Sequence, residues 1–286
     1  MKIRSFSIIG GDKRQLYTAQ AMQSEGYKVY LSGFDRLEED WGLERLAIDK
    51  AVNACDCAVL PMPLTKDGKT LNAPFSNSEI LLSDSLARSF AGKRVFCTMS
   101  NTLKSLSPVW DSVYLCDYLS REELAVQNAV PTAEGAIEVA MREFPGTIHG
   151  SVCLVAGFGR VGKVLCKMLD GLGGRVYAAA RKKSDLSLIN ALGYSGIDIN
   201  SLCSHNGFDI VFNTVPAMIF TAHTLARTCK NALVIDLASL PGGVDFESAK
   251  RLGIKTIHAL SLPGRVAPKA SGEIIKNTIF NMLEED

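Results

Sequence analysis

The run "VAGFGRVGKVL" places Gly157, Gly159 and Gly162 in G-x-G-x-x-G spacing, directly after an apolar strand-like segment and directly before a helical pattern. In that order the spacing has a chemical meaning. Glycines let the backbone approach a pyrophosphate, and the positive end of the helix receives its charge. Gly157, Gly159, Arg160, Val161 and Gly162 are therefore read as cofactor-binding. The next strand, "RVYAAA", should end on an Asp or Glu that holds the adenosine ribose 2′-hydroxyl. It runs instead into Arg181, Lys182, Lys183 and Ser184. A carboxylate at this place repels a 2′-phosphate, whereas each charge-assisted bond to one contributes about 1.5–3 kcal/mol, or roughly one to two decades of affinity. The replacement predicts NADP, with NAD as the alternative, and assigns Arg181, Lys182 and Ser184 to the phosphate.

A second glycine turn, "IIGGDKRQ", stands near the start of the chain. Gly10 and Gly11 are adjacent, Arg14 occupies the third glycine's place, and Asp12 would set a negative charge beside any phosphate. The turn reads as a nucleotide-type fold reused for another ligand, with Arg14 available as a bidentate carboxylate clamp. Ligands of parallel sheets sit at the carboxyl ends of the strands. The segments after "DIVFN" and "LVID" thus put Asn213, Thr214, Val215, Pro216, Ala238 and Ser239 at the cofactor's ribose and nicotinamide. Asp236 is read as orienting its loop, and Gly242 and Gly243 as turn residues before a helix opened by Asp245.

Positioning these residues takes parallel strands joined by helices. Short apolar runs ("SFSIIG", "KVYLSG", "CAVLPM", "RVFCTM") alternate with helical patterns, and a second series follows ("SVCLVAG", "RVYAAA", "DIVFNTV", "ALVIDLA", "GIKTIHA"). The expected fold is α/β: two tandem Rossmann-like parallel-sheet units, the C-terminal one dinucleotide-binding, with a C-terminal helix packing back. The first unit spans residues 1–130 and the second 131–286. A helix between them is expected to open at Pro131 and close near Pro145 and Gly146.

Lys and Arg total 31 against 30 acidic residues, which excludes the basic field of a nucleic-acid or anionic-membrane binder. The apolar runs fall short of the roughly 18 residues of a membrane helix, so a soluble, cytoplasmic protein is expected. The eight cysteines show no CxxC pair and no metal-ligand spacing, so free packed thiols and no metal site are expected.

Several segments together, "IIGGDKRQL", "FSNSE", "VPTAEGAI", "TIHGSVCLVAGFGRVGK", "NTVPAMI", "DLASLPGGVDF" and "LPGRVAPKASGEII", resemble the A subunit of dipicolinate synthase over essentially the whole chain. Residues 36–58 and 102–128 carry no matching motif. The resemblance implies an oxidoreductase of the mother cell of a sporulating bacterium. Such an enzyme works with a flavoprotein-like B subunit on a dihydrodipicolinate-type intermediate of the lysine pathway, and assembly into a homo-oligomer is expected. It also implies substrate contacts at Arg14, Ser76, Asn77, Thr132, Glu134 and Arg265. Proton transfer then falls to His149, Glu134 or Lys269, set against a structural hydrogen bond for His149, helix capping for Glu134 and solvent exposure for Lys269. His205, His223 and His258 are read as structural. Two other readings stand beside this one: an NADP-linked dehydrogenase of another small hydroxy or keto acid, and a non-catalytic nucleotide-binding protein whose chemistry resides in a partner.

Overall fold

A computed structural model describes residues 3–285. The chain begins with β1 (Ser5–Ile9), α1 (Lys13–Ser24), β2 (Lys28–Ser32), β3 (Glu44–Arg45), α2 (Ile48–Ala54), β4 (Cys57–Val59), α3 (Asp84–Ser89), β5 (Arg94–Cys97), α4 (Ser100–Leu106) and β6 (Tyr114–Asp117). The long helix α5 (Glu122–Glu143) follows. Next come β7 (Val152–Ala156), α6 (Arg160–Gly171), β8 (Arg175–Ala180), α7 (Lys183–Ala191), β9 (Ser195–Asp198), β10 (Ile210–Asn213) and α8 (Ala222–Thr228). The chain ends with β11 (Leu233–Asp236), α9 (Phe246–Arg251), β12 (Thr256–His258), α10 (Leu262–Val266) and α11 (Pro268–Glu284).

These elements form two parallel six-stranded sheets, ordered β3-β2-β1-β4-β5-β6 and β12-β11-β10-β7-β8-β9. Each has the doubly wound order in which the strand sequence reverses beside the first strand. Both faces of each sheet are covered. In the second, Cys153 and Val155 of β7 belong to one apolar cluster while Leu154 and Ala156 belong to the cluster on the opposite face. A strand buried on both faces reads as a continuous apolar run, which is why the central strands are visible in the sequence. The edge strands β3, β6 and β9 lie outside the expected set, because "ER", "YLCD" and "SGID" are short and largely polar or exposed.

Two expectations are corrected. The first compact unit comprises the residues up to Gln127 together with those from Ala267 onwards, and the second runs from Asn128 to Val266. The C-terminal helix, assigned by position to the second unit, thus belongs to the first. Its Gly272 explains why: a Cβ there would lie 2.6 Å from the Arg14 carbonyl and 2.8 Å from the Thr18 nitrogen, and Thr18 Oγ1 donates to the Gly272 carbonyl at 3.0 Å. Only glycine allows α11 to approach α1 this closely. The second correction concerns Pro131, which does not open α5 but sits inside it. Glu122 and Glu123 open the helix, where carboxylates favour the positive end of the dipole. The missing N–H of Pro131 removes one intrahelical bond, normally a cost of about 3 kcal/mol. Glu134 accordingly lies mid-helix, and the capping reading of it is removed.

Candidate cofactor and substrate sites

At the carboxyl end of β7 the chain turns through Gly157, whose φ is +100°. A Cβ there would lie 2.3 Å from Thr214 Oγ1, and one on Gly162 would lie 2.1 Å from the Gly157 carbonyl oxygen. These two glycines are therefore required by packing. Gly159 differs: a Cβ on it would meet open space, and it caps α6 with no side-chain hydrogen bond. The first N–H groups of α6 thus open toward a cavity of about 420 Å³ at the point where strand order reverses. A pyrophosphate fits that cradle, because unsatisfied N–H groups and the helix dipole both favour an anion there.

The cavity is walled on one side by Arg181 and Lys182 and on the other by Thr214, Val215 and Pro216. The strand β8 ends on buried Ala180, so no acid stands at the usual ribose position. Asp185, one turn into α7, also reaches the cavity and is absent from the expected set. Its place in the first turn after Lys182 is the signal that helical spacing offers. Arg160 and Val161 open α6, and Ser184 is exposed in the first turn of α7.

Three residues at the ends of neighbouring strands hold the far wall. Asn213, Asp236 and His258 are paired rungs of β10, β11 and β12. Asn213 is fully buried; its Nδ2 donates to Asp236 Oδ1 at 2.7 Å and to the Val215 carbonyl at 3.0 Å, and its Oδ1 accepts from the Val215 nitrogen at 3.1 Å. Asp236, also fully buried, accepts further bonds from Ala238 N at 3.1 Å and Gly243 N at 2.8 Å. His258 Nε2 lies 3.0 Å from the Ala238 carbonyl. The side-chain amide of Asn213 is thus bonded to Asp236 and to its own loop at Val215. Ala238 is buried and Ser239 exposed just after β11. Gly242 and Gly243 form the turn before α9, which Asp245 caps through Ser248; those bonds also lower the Asp245 pKa.

The remaining expected residues fall into separate groups. In the second unit, a Cβ on Gly135 would lie 2.9 Å from the Leu262 side chain, so α10 seats directly on α5. This seating brings together the helices that carry Thr132, Glu134 and Arg265. Glu134 and Arg265 are exposed, whereas Thr132 Oγ1 donates to the Asn128 carbonyl at 2.6 Å. His149 stands before β7 against Gly173, at the amino end of the sheet and away from the glycine turn. In the first unit, α1 and α11 carry Arg14 and Lys269; Lys269 is exposed in the first turn of α11.

Arg14 is only 5% exposed. Its guanidinium binds Asp12 through Nε at 3.0 Å and Nη2 at 2.8 Å, and it donates to the Met62 carbonyl. The glycine turn beside it is closed as an anion site. The Gly11 nitrogen donates to the Asn72 carbonyl at 2.8 Å, and Ala73 Cβ would stand 3.1 Å from a Cβ on Gly10. Residues 70–80, which make this plug, also wall a cavity of about 330 Å³ that Ser76 and Asn77 line together with Arg36 and Lys66. Neither cation belongs to the expected set: Arg36 directly follows Asp35 in a stretch with no motif, and Lys66 carries no local signal.

Seven of the eight cysteines are buried and all are free. Burial pushes the Cys153 and Cys166 thiols up to about 12. Among the described residues no group of His, Cys, Asp or Glu is placed to hold a metal, and no helix is long and apolar enough to cross a membrane.

Residues 5–107 match the family model of the N-terminal domain of the dipicolinate synthase A subunit. Over 283 residues, 98% of this chain and 95% of the relative, the chain is 34% identical to the A subunit of dipicolinate synthase from Bacillus subtilis. The crystal structure of the dipicolinate synthase A subunit from Bacillus halodurans superposes with a TM-score of 0.88 at 33% identity, covering 99% of this chain and 98% of that one. A transhydrogenase from Sinorhizobium meliloti, at 14% identity and a TM-score of 0.63 over 98% of this chain and 93% of that one, shares the fold alone.

Proposed function

The chain belongs to the family of dipicolinate synthase A subunits, and on that premise we propose that it oxidises a dihydrodipicolinate-type diacid to pyridine-2,6-dicarboxylate using NADP. An oxidoreductase with a nicotinamide dinucleotide is the coarse reading that family and fold support. The cavity walled by the glycine turn, Arg181 and Lys182 carries the finer one. A nicotinamide dinucleotide held there would supply the hydride acceptor.

The chain's own residues supply the rest. The N–H groups at the start of α6 would hold the pyrophosphate, and Arg181, Lys182 and Ser184 would hold the 2′-phosphate. Asn213 and Asp236 fix the loops that carry Thr214, Val215 and Pro216, which wall the cavity, and Ala238 and Ser239, which follow β11. Loss of a hydride and a proton from the partly reduced ring gives the aromatic product, and water departs as well when the hydrated form is the substrate. We assign the proton to Glu134, an exposed carboxylate on α5 with Arg265 on the adjoining α10 for a substrate carboxylate. Thr132 Oγ1 is already bonded to the Asn128 carbonyl within α5. His149 and Lys269 rank behind Glu134, the former because it stands at the amino end of its sheet. Ser76 and Asn77 line a separate cavity of the first unit and suit a carboxylate group there. The family's name supports a partner B subunit, and the reading includes work in the mother cell of a sporulating bacterium as a homo-oligomer.

One observation favours NAD as a second reading: Asp185 reaches the same cavity and could accept from a ribose 2′-hydroxyl. Cofactor affinity decides between them. Calorimetric titration of NADP and NAD into the chain should show tighter NADP binding, and Arg181→Ala should remove roughly tenfold of the preference, the lower end of the charge-assisted range because Arg181 is exposed. Unchanged discrimination in Arg181→Ala refutes the phosphate assignment. Reduction of NADP by freshly prepared dihydrodipicolinate, followed by near-ultraviolet absorbance, tests the reaction itself.

A further inference from the structure

The first unit holds a cavity whose cations are not spent on each other or on neighbouring acids, and this is unlike the environment of Arg14. The Arg14 guanidinium is buried, bonded to both carboxylate oxygens of Asp12 and to a backbone carbonyl. A ligand carboxylate could take the Nε/Nη2 edge of the guanidinium only by displacing Asp12, which also caps α1. Arg36 and Lys66, by contrast, line the cavity of about 330 Å³ with no ion pair to any described residue.

The wall that presents them is fixed by backbone bonds. Arg36 N donates to the Phe75 carbonyl at 2.8 Å, Leu71 N to the Ile80 carbonyl at 2.8 Å, and Asn72 N to the Leu64 carbonyl at 2.8 Å. The turn that carries Lys66 is organised by Asp67, whose carboxylate accepts from Lys69 N, Thr70 N, Thr70 Oγ1 and Thr65 Oγ1. Asp67 is therefore committed to the turn and not to Lys66. Of the other acids near the cavity, Asp35 accepts from Asn77 N at 3.3 Å, and Glu79 is the one carboxylate among the described residues of the lining. The lining thus carries two cations, one acid and an exposed Asn77 amide, groups that suit an anion whose oxygens accept several hydrogen bonds.

We propose that Arg36 and Lys66 form a subsite of the first unit for a carboxylate group, and that Arg14 is a structural strut which holds Asp12 and the β4 exit loop. This rests on the diacid reading of the preceding subsection and goes beyond it in naming the groups that distinguish a diacid from a monoacid. Arg36 supplies a planar fork for bidentate binding, Lys66 a point charge at the rim, and Ser76 and Asn77 complete the polar lining. The cavity's volume accommodates a single-ring acid.

The test is calorimetric titration of pyridine-2,6-dicarboxylate and of pyridine-2-carboxylate into the full chain saturated with oxidised cofactor. Wild type should bind the diacid more tightly than the monoacid. Arg36→Ala should weaken the diacid about tenfold, and Arg36→Ala with Lys66→Ala further, while monoacid affinity changes less than about twofold. Glu79→Gln should tighten the diacid, since it removes the opposing charge. Both cations are exposed, so the variants should retain the wild-type melting temperature, which serves as the folding control. Wild-type diacid affinity in the double variant overturns this inference and leaves the substrate reading intact. Equal loss of diacid and monoacid also overturns it, because the subsite would then not read the second carboxylate. Failure of wild type to bind the diacid at all overturns both.

Discussion

Replacing Asp236 by Asn changes one atom and should disturb the cofactor cavity without touching it. The carboxylate is fully buried and accepts from Asn213 Nδ2, Ala238 N and Gly243 N. The amide keeps one oxygen, which can still serve Asn213 and Ala238 from the Oδ1 position. At the Oδ2 position an NH₂ then faces the Gly243 N–H across 2.8 Å, donor against donor. The variant loses a bond to a charged acceptor, about 1.5–3 kcal/mol, and orphans a buried donor, about 1–3 kcal/mol. Relief from burying an ion offsets part of this, so a net local destabilisation of about 2–4 kcal/mol is expected. Native-state hydrogen exchange of the Gly243 amide reads that quantity where it arises. At roughly 1.4 kcal/mol per decade, exchange should accelerate about thirty- to several-hundred-fold, with the amides of β1 unchanged. Asn213→Ala should couple to it in a double-mutant cycle by about 0.5–3 kcal/mol. Gly243 protection within about threefold of wild type would refute the claim that Asp236 anchors the 237–243 loop.

Two further outcomes follow from the same geometry. Gly162→Ala forces a Cβ to within 2.1 Å of the Gly157 carbonyl oxygen, a backbone atom that cannot swing aside, so dinucleotide affinity by calorimetry should fall by at least about tenfold; near-wild-type binding would contradict the packing role of that glycine. Burial pushes Cys57, Cys153, Cys166 and Cys229 up to about 12, so at pH 8 only about one in ten thousand of these thiols is a thiolate. Mass spectrometry after iodoacetamide should therefore show the half-exposed Cys203 alkylated well before them, and the buried thiols reacting only in denaturant.

The cofactor unit is legible in the sequence because its function and its fold impose the same local rules. A glycine turn must follow an apolar strand and precede a helix, and each of these is a pattern within about a dozen residues. Arg181 at the end of β8 can be read for the same reason. Central strands such as "CLVAG" declare themselves by burial on both faces, while β3, β6 and β9, at or beside sheet edges, have no such signature.

Long-range pairing decided the rest. Whether Arg14 is a clamp or a strut depends on Asp12 and on Met62, forty-eight residues away, and no local pattern encodes that carbonyl. The "SGEII" segment is visibly helical, but only the approach of Gly272 to Arg14 and Thr18 shows which unit it completes. Pro131 illustrates a propensity overridden by context: its preference for a first turn is real, but the helix begins at Glu122. Arg36 and Lys66 stand far apart in the chain and share a cavity because the 70–80 segment folds back over the β1 turn through Asn72 and Gly11. Charge type, strand order and glycine spacing are local properties of a chain, whereas which charges remain unpaired is settled only when distant segments meet and satisfy, or fail to satisfy, one another's hydrogen bonds.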